Sequence, residues 1–288
     1  MALRFFLCDV FADRPLAGNQ LAVFLGADDL PDEAMAALAR EFGWSEVTFV
    51  AAANGPPRVR IWTPFGELPF AGHPTIGTAV VLVHAGMLEP GMGAIELGIG
   101  VTAVEVTLDG PAAGTARMTQ RVPEMGRIED DRGAVAGALG LMPDDLAPDL
   151  PIQVVSTGLP HLLVPLRSLD ALGRARADGP RFATVTRASD VDWLYAFSTE
   201  TPQSTAAARA RLLRPEMEDA ATGSAAGPLG AYLVRYGLHR PGVLDIEQGI
   251  EMGRPSRIQV EVVVESGEIG PVRVTGTVHI WGRGELII

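Results

Sequence analysis

Short apolar runs broken by Gly and Pro dominate this chain, and only a few stretches keep a helical period. Strand-like patterns fall at residues 3–10, 22–25, 47–51, 58–63, 104–108, 152–155, 257–265 and 272–280. Most neighbours are joined by short Gly or Pro turns. Such turns favour antiparallel or mixed pairing, because a wound parallel sheet needs a crossover helix at each step. Pro31-Asp32-Glu33 opens a helix with acid in its first turn, Met35, Leu38, Ala39 and Phe42 form its apolar stripe, and Gly43 stops it. A shorter helical pattern covers 132–141. Two more helices, 74–85 and 224–236, lack a broad charged face and are expected to be buried. Gly77, Thr78 and Ala79 in one, and Ala225, Ala226 and Gly227 in the other, leave room for close sheet contact.

These two helices belong to an internal repeat. Arg58, Arg60, Pro64, Glu67, Gly72, Val83 and Gly86 recur, shifted by 151 positions, as Arg209, Arg211, Pro215, Glu218, Gly223, Val234 and Gly237. Each copy reads as an Arg-marked strand, a Pro, an eight-residue step to Gly, an apolar helix and a terminating Gly. The length of 288 residues also suits two domains. The Pro-, Gly- and Asp-rich stretch 123–151 marks the expected crossing, giving residues 1–122 with 280–288 as one domain and 123–279 as the other. Both helices begin at a Gly beside polar groups, Gly72-His73 and Thr222-Gly223-Ser224. If the two starts face one another, their N–H groups and dipoles bind a small anion from both sides; duplication for stability alone is the plainer alternative.

Composition narrows the chemistry. A net charge of −12 and a pI near 4.9 argue against nucleic acid or an anionic membrane as partner. All 23 basic residues are arginine, so Schiff-base lysine chemistry, covalent pyridoxal phosphate and a P-loop lysine are excluded. The single cysteine, Cys8, rules out an intramolecular disulfide and a two-thiol acid–base pair. A soluble, cytoplasmic protein is expected, since residues 1–10 are too short and too interrupted for a signal-peptide core. The five histidines lack metal-ligand spacing, Gly-x-Ser-x-Gly is absent, and Gly98-Ile99-Gly100 lacks the third glycine of a dinucleotide site, so neither metal nor cofactor is expected.

Acid–base chemistry remains, with Glu46, His73 and Asp219 as candidates. Each has an ordinary structural explanation: a solvated carboxylate at a helix-to-strand junction, a histidine at a helix start, an Asp capping a turn. The repeat puts His73 and Asp219 at the two helix entrances. A carboxylate, a histidine and two helix N-termini suit proton shuttling on a carboxylic acid.

Several motifs, in order along essentially the whole chain, closely resemble the PhzF family of phenazine biosynthesis. They are Asp9-Val10-Phe11 with Arg14-Pro15-Leu16-Ala17-Gly18-Asn19, Trp44-Ser45-Glu46, Glu67-Leu68-Pro69-Phe70-Ala71-Gly72-His73-Pro74, Glu218-Asp219-Ala220-Ala221-Thr222-Gly223-Ser224-Ala225-Ala226-Gly227 and Gln248-Gly249. The resemblance implies an α/β (α+β type) diaminopimelate epimerase-like fold, two pseudo-symmetric domains each wrapping a mixed, mostly antiparallel sheet around a central helix. It implies a cofactor-independent isomerase, usually a homodimer, acting on trans-2,3-dihydro-3-hydroxyanthranilate. By resemblance Glu46 is the proton shuttle, His73 and Asp219 its companions, and Gly72, Gly223 and Ser224 bind substrate. An isomerase or epimerase of a different small acid, or a noncatalytic binding member, is the alternative. A racemase using one cysteine from each domain has no support, since Cys8 is at neither helix start. Between Pro215 and Glu218 stand only Glu216 and Met217, and Leu213-Arg214 replaces the aromatic and small residues that the resemblance leads one to expect.

Overall fold

The computed structural model of the chain describes residues 2–201 and 204–287; the expected domain limits Met1 and Ile288 lie outside them. The chain divides into two compact units, one reaching to Thr119 and resuming at Thr275, the other Gln120–Val274.

In the first unit β1 (Ala2–Val10) pairs antiparallel with β2 (Asn19–Leu25). After α1 (Asp32–Phe42), β3 (Val47–Ala51) joins β2 in parallel and β4 (Arg58–Thr63) joins β3 antiparallel. β4 turns tightly into β5 (Gly66–Leu68), which enters α2 (Gly72–His84). The antiparallel strands β6 (Gly91–Leu97), β7 (Gly100–Gly110) and β8 (Ala113–Thr119) follow. α1 covers the outer sheet face, where Met35 and Ala39 join Leu3, Phe24, Phe49 and Trp62. α2 is buried at every position from Gly72 to Val83. Its β-branched Thr-Ile and Val-Val pairs are poor helix formers, so burial against the sheet, not propensity, holds it. A Cβ on Gly77 would lie 2.6 Å from Leu21 and 2.7 Å from Val10, which is why glycine stands there.

The second unit repeats this plan. β9 (Glu124–Ile128), α3 (Arg132–Ala138), β10 (Gln153–Ser156), β11 (Pro160–Pro165), α4 (Leu169–Arg174), α5 (Gly179–Ser189) and β12 (Leu194–Ser198) precede β13 (Ala208–Leu213) and β14 (Glu218–Asp219). α6 (Gly223–Arg235), β15 (Gly242–Gln248), β16 (Ser256–Val262) and the short hairpin β17 (Val264–Glu265) and β18 (Glu268–Ile269) follow. The β11–β12 and β13–β15 pairs are parallel, and β9–β10, β10–β11, β12–β13 and β15–β16 are antiparallel. Val135, Ala138, Leu172, Phe182 and Val185 of α3, α4 and α5 pack on one sheet face with Leu162, Val164 and Leu194. The last strand, β19 (Arg273–Ile287), returns to pair antiparallel with β1 through residues 278–287.

The shifted register holds in three dimensions. α2 and α6 each run 13 residues from the repeated glycine, and β6 and β15 occupy equivalent positions after them. Gly86 and Gly237, at φ 71° and 69°, both close their helices in the left-handed region. The repeated Arg and Glu form the same two-pronged ion pair: Arg60 donates to both carboxylate oxygens of Glu67 (2.7 and 2.6 Å), and Arg211 to both of Glu218 (2.7 and 2.7 Å). Each pair clamps the turn that feeds the central helix. Arg211 is buried and also donates to the Leu172 and Ala175 carbonyls at the end of α4.

Two histidines are sealed inside. His161 on β11 has no partner for either ring nitrogen among the described residues, and burial pushes its pKa down to about 3. Burial also pushes His73 down to about 3, partly opposed by the Gln20 main chain. Both are neutral in the folded state, whereas an unfolded histidine takes a proton near pH 6.5. The folded state is therefore destabilised as pH falls from about 6.5 toward about 3, by about 1.4 kcal/mol per pH unit for each histidine.

Two predictions follow from this packing. Urea melts between pH 7 and 4.5 should show the steep loss of stability in acid, and His161→Leu should reduce the slope by about one proton while leaving stability at pH 7 unchanged or higher; an unaltered slope would contradict the burial. Second, a Cβ on Gly227 would fall 1.9 Å from Oε1 of the buried Gln120. Gly227→Ala should cost about 1–3 kcal/mol, whereas Gly173→Ala in α4, where a Cβ meets nothing within 4 Å, should be neutral or stabilising by up to about 1 kcal/mol.

Candidate functional site

Polar chemistry concentrates where each central helix begins. α2 starts after Ala71 and α6 after Thr222, both in extended conformation, and neither N-cap side chain caps its helix. The first N–H groups, those of Gly72, His73, Gly223 and Ser224, thus point out of the helix with the positive end of its dipole.

In the first unit, the segment between β1 and β2 is bent by positive φ at Phe11, Leu16 and Gly18. A Cβ on Gly18 would lie 2.4 Å from the Val10 carbonyl, so only glycine lets the chain fold back there. Asp9 Oδ2 accepts from the Leu16 N–H at 2.7 Å and holds the bend. The bend delivers Asn19 to the helix start, where its amide lies 3.2 Å from His73 Nδ1 while its carbonyl oxygen accepts from Ser45 Oγ, also at 3.2 Å. With Asn19 Nδ2 donating to Nδ1, neutral His73 carries its proton on Nε2. Glu46 Oε2 lies 3.7 Å from the same Nδ1. The structure thus brings Glu46 and His73 together and adds Asn19, itself held by Ser45, as the group that orients the His73 ring. His73, at a pKa of about 3, is a neutral hydrogen-bonding group at physiological pH and not a cation. Cys8 is buried under α2 and burial raises its pKa far above neutrality, so its thiol stays protonated and inert.

In the second unit a buried network fixes Asp219. Tyr195 OH donates to Gln248 Oε1 (2.9 Å), which also accepts the Thr222 N–H (3.1 Å). Gln248 Nε2 donates to the Asp219 carbonyl (2.8 Å) and to Thr222 Oγ1 (3.0 Å), and Thr222 Oγ1 in turn donates to the Asp219 carboxylate. Ser256 Oγ ties down the Ala220 carbonyl at 3.0 Å. Gly249, at φ 74°, permits the approach of this strap, since a Cβ would sit 2.5 Å from the Ala220 carbonyl. Burial, helped by the Asp219 charge, raises the Tyr195 pKa and keeps it a donor. Gln120 Nε2 donates to the Gly223 carbonyl (2.9 Å) and its Oε1 accepts from Thr157 Oγ1 (2.7 Å), pinning the first turn of α6. Asp219, Gly223 and Ser224 are therefore gathered at one helix start.

Asn19, Gln120, Thr222 and Gln248 are the residues that sequence reasoning did not assign. Asn19 and Gln248 sit inside motifs quoted for the resemblance, which was the available signal. Gln120 has none, since it acts on a helix more than a hundred residues away. Among the described residues, no group of three or more His, Cys, Asp or Glu is placed to hold a metal ion, and no helix is long and apolar enough to cross a membrane.

Comparison with known proteins gives a consistent result. The profile of the phenazine biosynthesis-like (PhzC-PhzF) family matches residues 8–283. An uncharacterized isomerase of Mesorhizobium japonicum is 36% identical, covering 99% of this chain and 98% of its own. The trans-2,3-dihydro-3-hydroxyanthranilate isomerase of Pseudomonas fluorescens is 35% identical, with 98% of each chain covered. A crystal structure of a Bacillus anthracis phenazine biosynthesis protein of the PhzF family superposes with a TM-score of 0.89 over 100% of both chains, at 27% identity. The repeated helix starts, the Glu46–His73 contact and the Asp219 network are thus features of a chain that belongs to the phenazine biosynthesis-like PhzC-PhzF family.

Proposed function

We propose that the chain is an isomerase of the PhzF type that shifts a proton on a small carboxylic acid, with Glu46 as base and then as acid and with no cofactor or metal. The observation that carries this reading is the placement of the Glu46 carboxylate 3.7 Å from a buried, neutral imidazole at an uncapped helix start. Burial makes His73 a weak base, so the role of proton acceptor is assigned to the neighbouring Glu46. Asn19 orients the His73 ring beside the carboxylate. N–H groups of Gly72 and His73 face developing negative charge, as an oxyanion-type donor pair does. The second unit, taken by itself, carries Asp219, held by Thr222, as a group suited to an amino group, and the N–H groups of Gly223 and Ser224 as groups suited to a carboxylate. A single carboxylate suffices for both steps, because taking a proton turns it into the acid that protonates the second carbon. The named activity of the Pseudomonas fluorescens relative makes trans-2,3-dihydro-3-hydroxyanthranilate the first substrate to assay.

Glu46→Gln should lower turnover about 10²- to 10⁴-fold while the melting temperature and ligand affinity stay close to native. In D2O the native protein should place deuterium on the product carbon, read by proton NMR, unless the abstracted proton is returned before it exchanges. Full activity in Glu46→Gln would remove Glu46 from the mechanism, and native protein that binds the ligand without exchange or turnover would favour a binding role.

A further inference from the structure

The fold's internal symmetry singles out two residues that the proposed chemistry does not use. In the first unit Val47 of β3 faces Trp62 of β4; in the second, Leu194 of β12 faces Leu213 of β13. Trp62 and Leu213 are equivalent in the shifted register, so Trp193 is the counterpart of Glu46, and Arg214 the counterpart of Thr63. The position that carries the carboxylate beside α2 thus carries an indole on the equivalent strand of the α6 unit.

Strand alternation says which way these residues face. Tyr195 faces Leu212, and Leu212 faces Asp219, so the three share one side of the sheet. Trp193 and Arg214 each stand two residues from members of that row and return to the same side, about 6.6–6.8 Å further along. Their contact agrees: the Arg214 guanidinium lies 4.6 Å from the centre of the Trp193 ring. Stacking on the indole fixes the guanidinium plane and leaves its edge for a planar anion. Among the described residues, the one ion pair Arg214 makes is with Glu216, at 3.4 Å, across a tight turn closed by the Arg214 N–H and the Met217 carbonyl. The Glu216 side chain is 52% exposed and Arg214 33% exposed. Such a pair is weak and exchanges readily with a carboxylate from solution.

We propose that Arg214, seated on Trp193, is a specificity-determining residue that anchors a second carboxylate, so that this chain's substrate is a small amino dicarboxylic acid. The proposal rests on the reading above, in which Asp219 takes the amino group and the start of α6 takes the first carboxylate. Arg214 supplies a second anion contact on the same side of the sheet, and Glu216 occupies it when no ligand is bound. A monocarboxylate leaves the guanidinium with Glu216; a dicarboxylate displaces Glu216 and gains a charge-assisted, two-pronged contact.

Calorimetric titration of the full chain with two probes tests this. 3-Hydroxyanthranilate carries one carboxylate; 2-aminoisophthalate has the same ring and amino group with a second carboxylate in place of the hydroxyl. The native protein should bind the diacid at least about tenfold more tightly. Arg214→Met, which keeps a side chain against Trp193, should weaken the diacid about 10- to 100-fold and the monoacid less than about threefold. Glu216→Gln should tighten the diacid by removing its internal competitor. Arg214→Gln gives an independent reading if Arg214→Met does not fold. A native protein that binds neither probe or prefers neither, or Arg214 variants that weaken both probes equally, would overturn the proposal. Failure of the isomerase reading shows separately, as absence of both deuterium exchange and turnover in the native protein with the Arg214-dependent preference intact.

Discussion

A helix without a polar face can exist in water only if other elements cover it on every side, and both units of this chain are organised around that requirement. α2 and α6 are buried along almost their whole length, so strands must wrap them and loops must cross near their ends. Burial also removes water from the first N–H groups of each helix. These groups need another partner, and a polar ligand can supply what neither Ala71 nor the Thr222 side chain does. The site thus begins as a consequence of the fold: the same packing that excludes solvent from the helix creates two positively polarised starts that their N-cap side chains leave uncapped.

The chemistry then comes from departures from the repeat. The repeated identities are scaffold: Arg60–Glu67 and Arg211–Glu218 clamp equivalent turns, and Gly86 and Gly237 end equivalent helices. At the positions that matter for reactivity the two halves differ. His73 stands opposite Ser224 in the register, Leu68 opposite Asp219, Leu97 opposite Gln248 and Ala71 opposite Thr222. One half carries a carboxylate beside a neutral imidazole that an amide orients, and the other a carboxylate fixed by a Thr–Gln–Tyr network. A repeated scaffold thus carries a different set of hydrogen-bonding groups at the helix start of each unit.

Much of this was legible from the chain because Gly, Pro and Arg–Glu spacing dictate backbone shape directly. The central helices, the repeat register and the mixed sheets were readable for that reason. The strands 91–97, 113–119, 124–128, 160–165, 194–198 and 242–248 and the helices α4 and α5 were not. Glycines interrupt the alternation in 91–97, Pro160 opens its strand, and the run Leu194–Ser198 is buried at all five positions, so it shows no period of two. Glu46 and His73 were visible as residue types at helix and strand junctions. Asn19, Gln120 and Gln248 were not assigned because their roles depend on contacts at long sequence separation, which no local pattern encodes.

The charge balance sharpens the picture of how an acid can be bound at all. A chain with a net charge of −12 repels anions at long range, but at physiological salt that repulsion fades over about 8 Å. Inside that distance local donors decide. With no lysine in the chain, every side-chain cation apart from a protonated histidine is a guanidinium, a planar group suited to paired contacts, and many are committed to carboxylates of the chain itself, as Arg60, Arg117, Arg174 and Arg211 are. Affinity for an acid must therefore come from backbone N–H groups and from the few arginines whose carboxylate partner is exposed and replaceable. Arg214 on Trp193 meets that description, and its turn is where this chain departs from the family pattern.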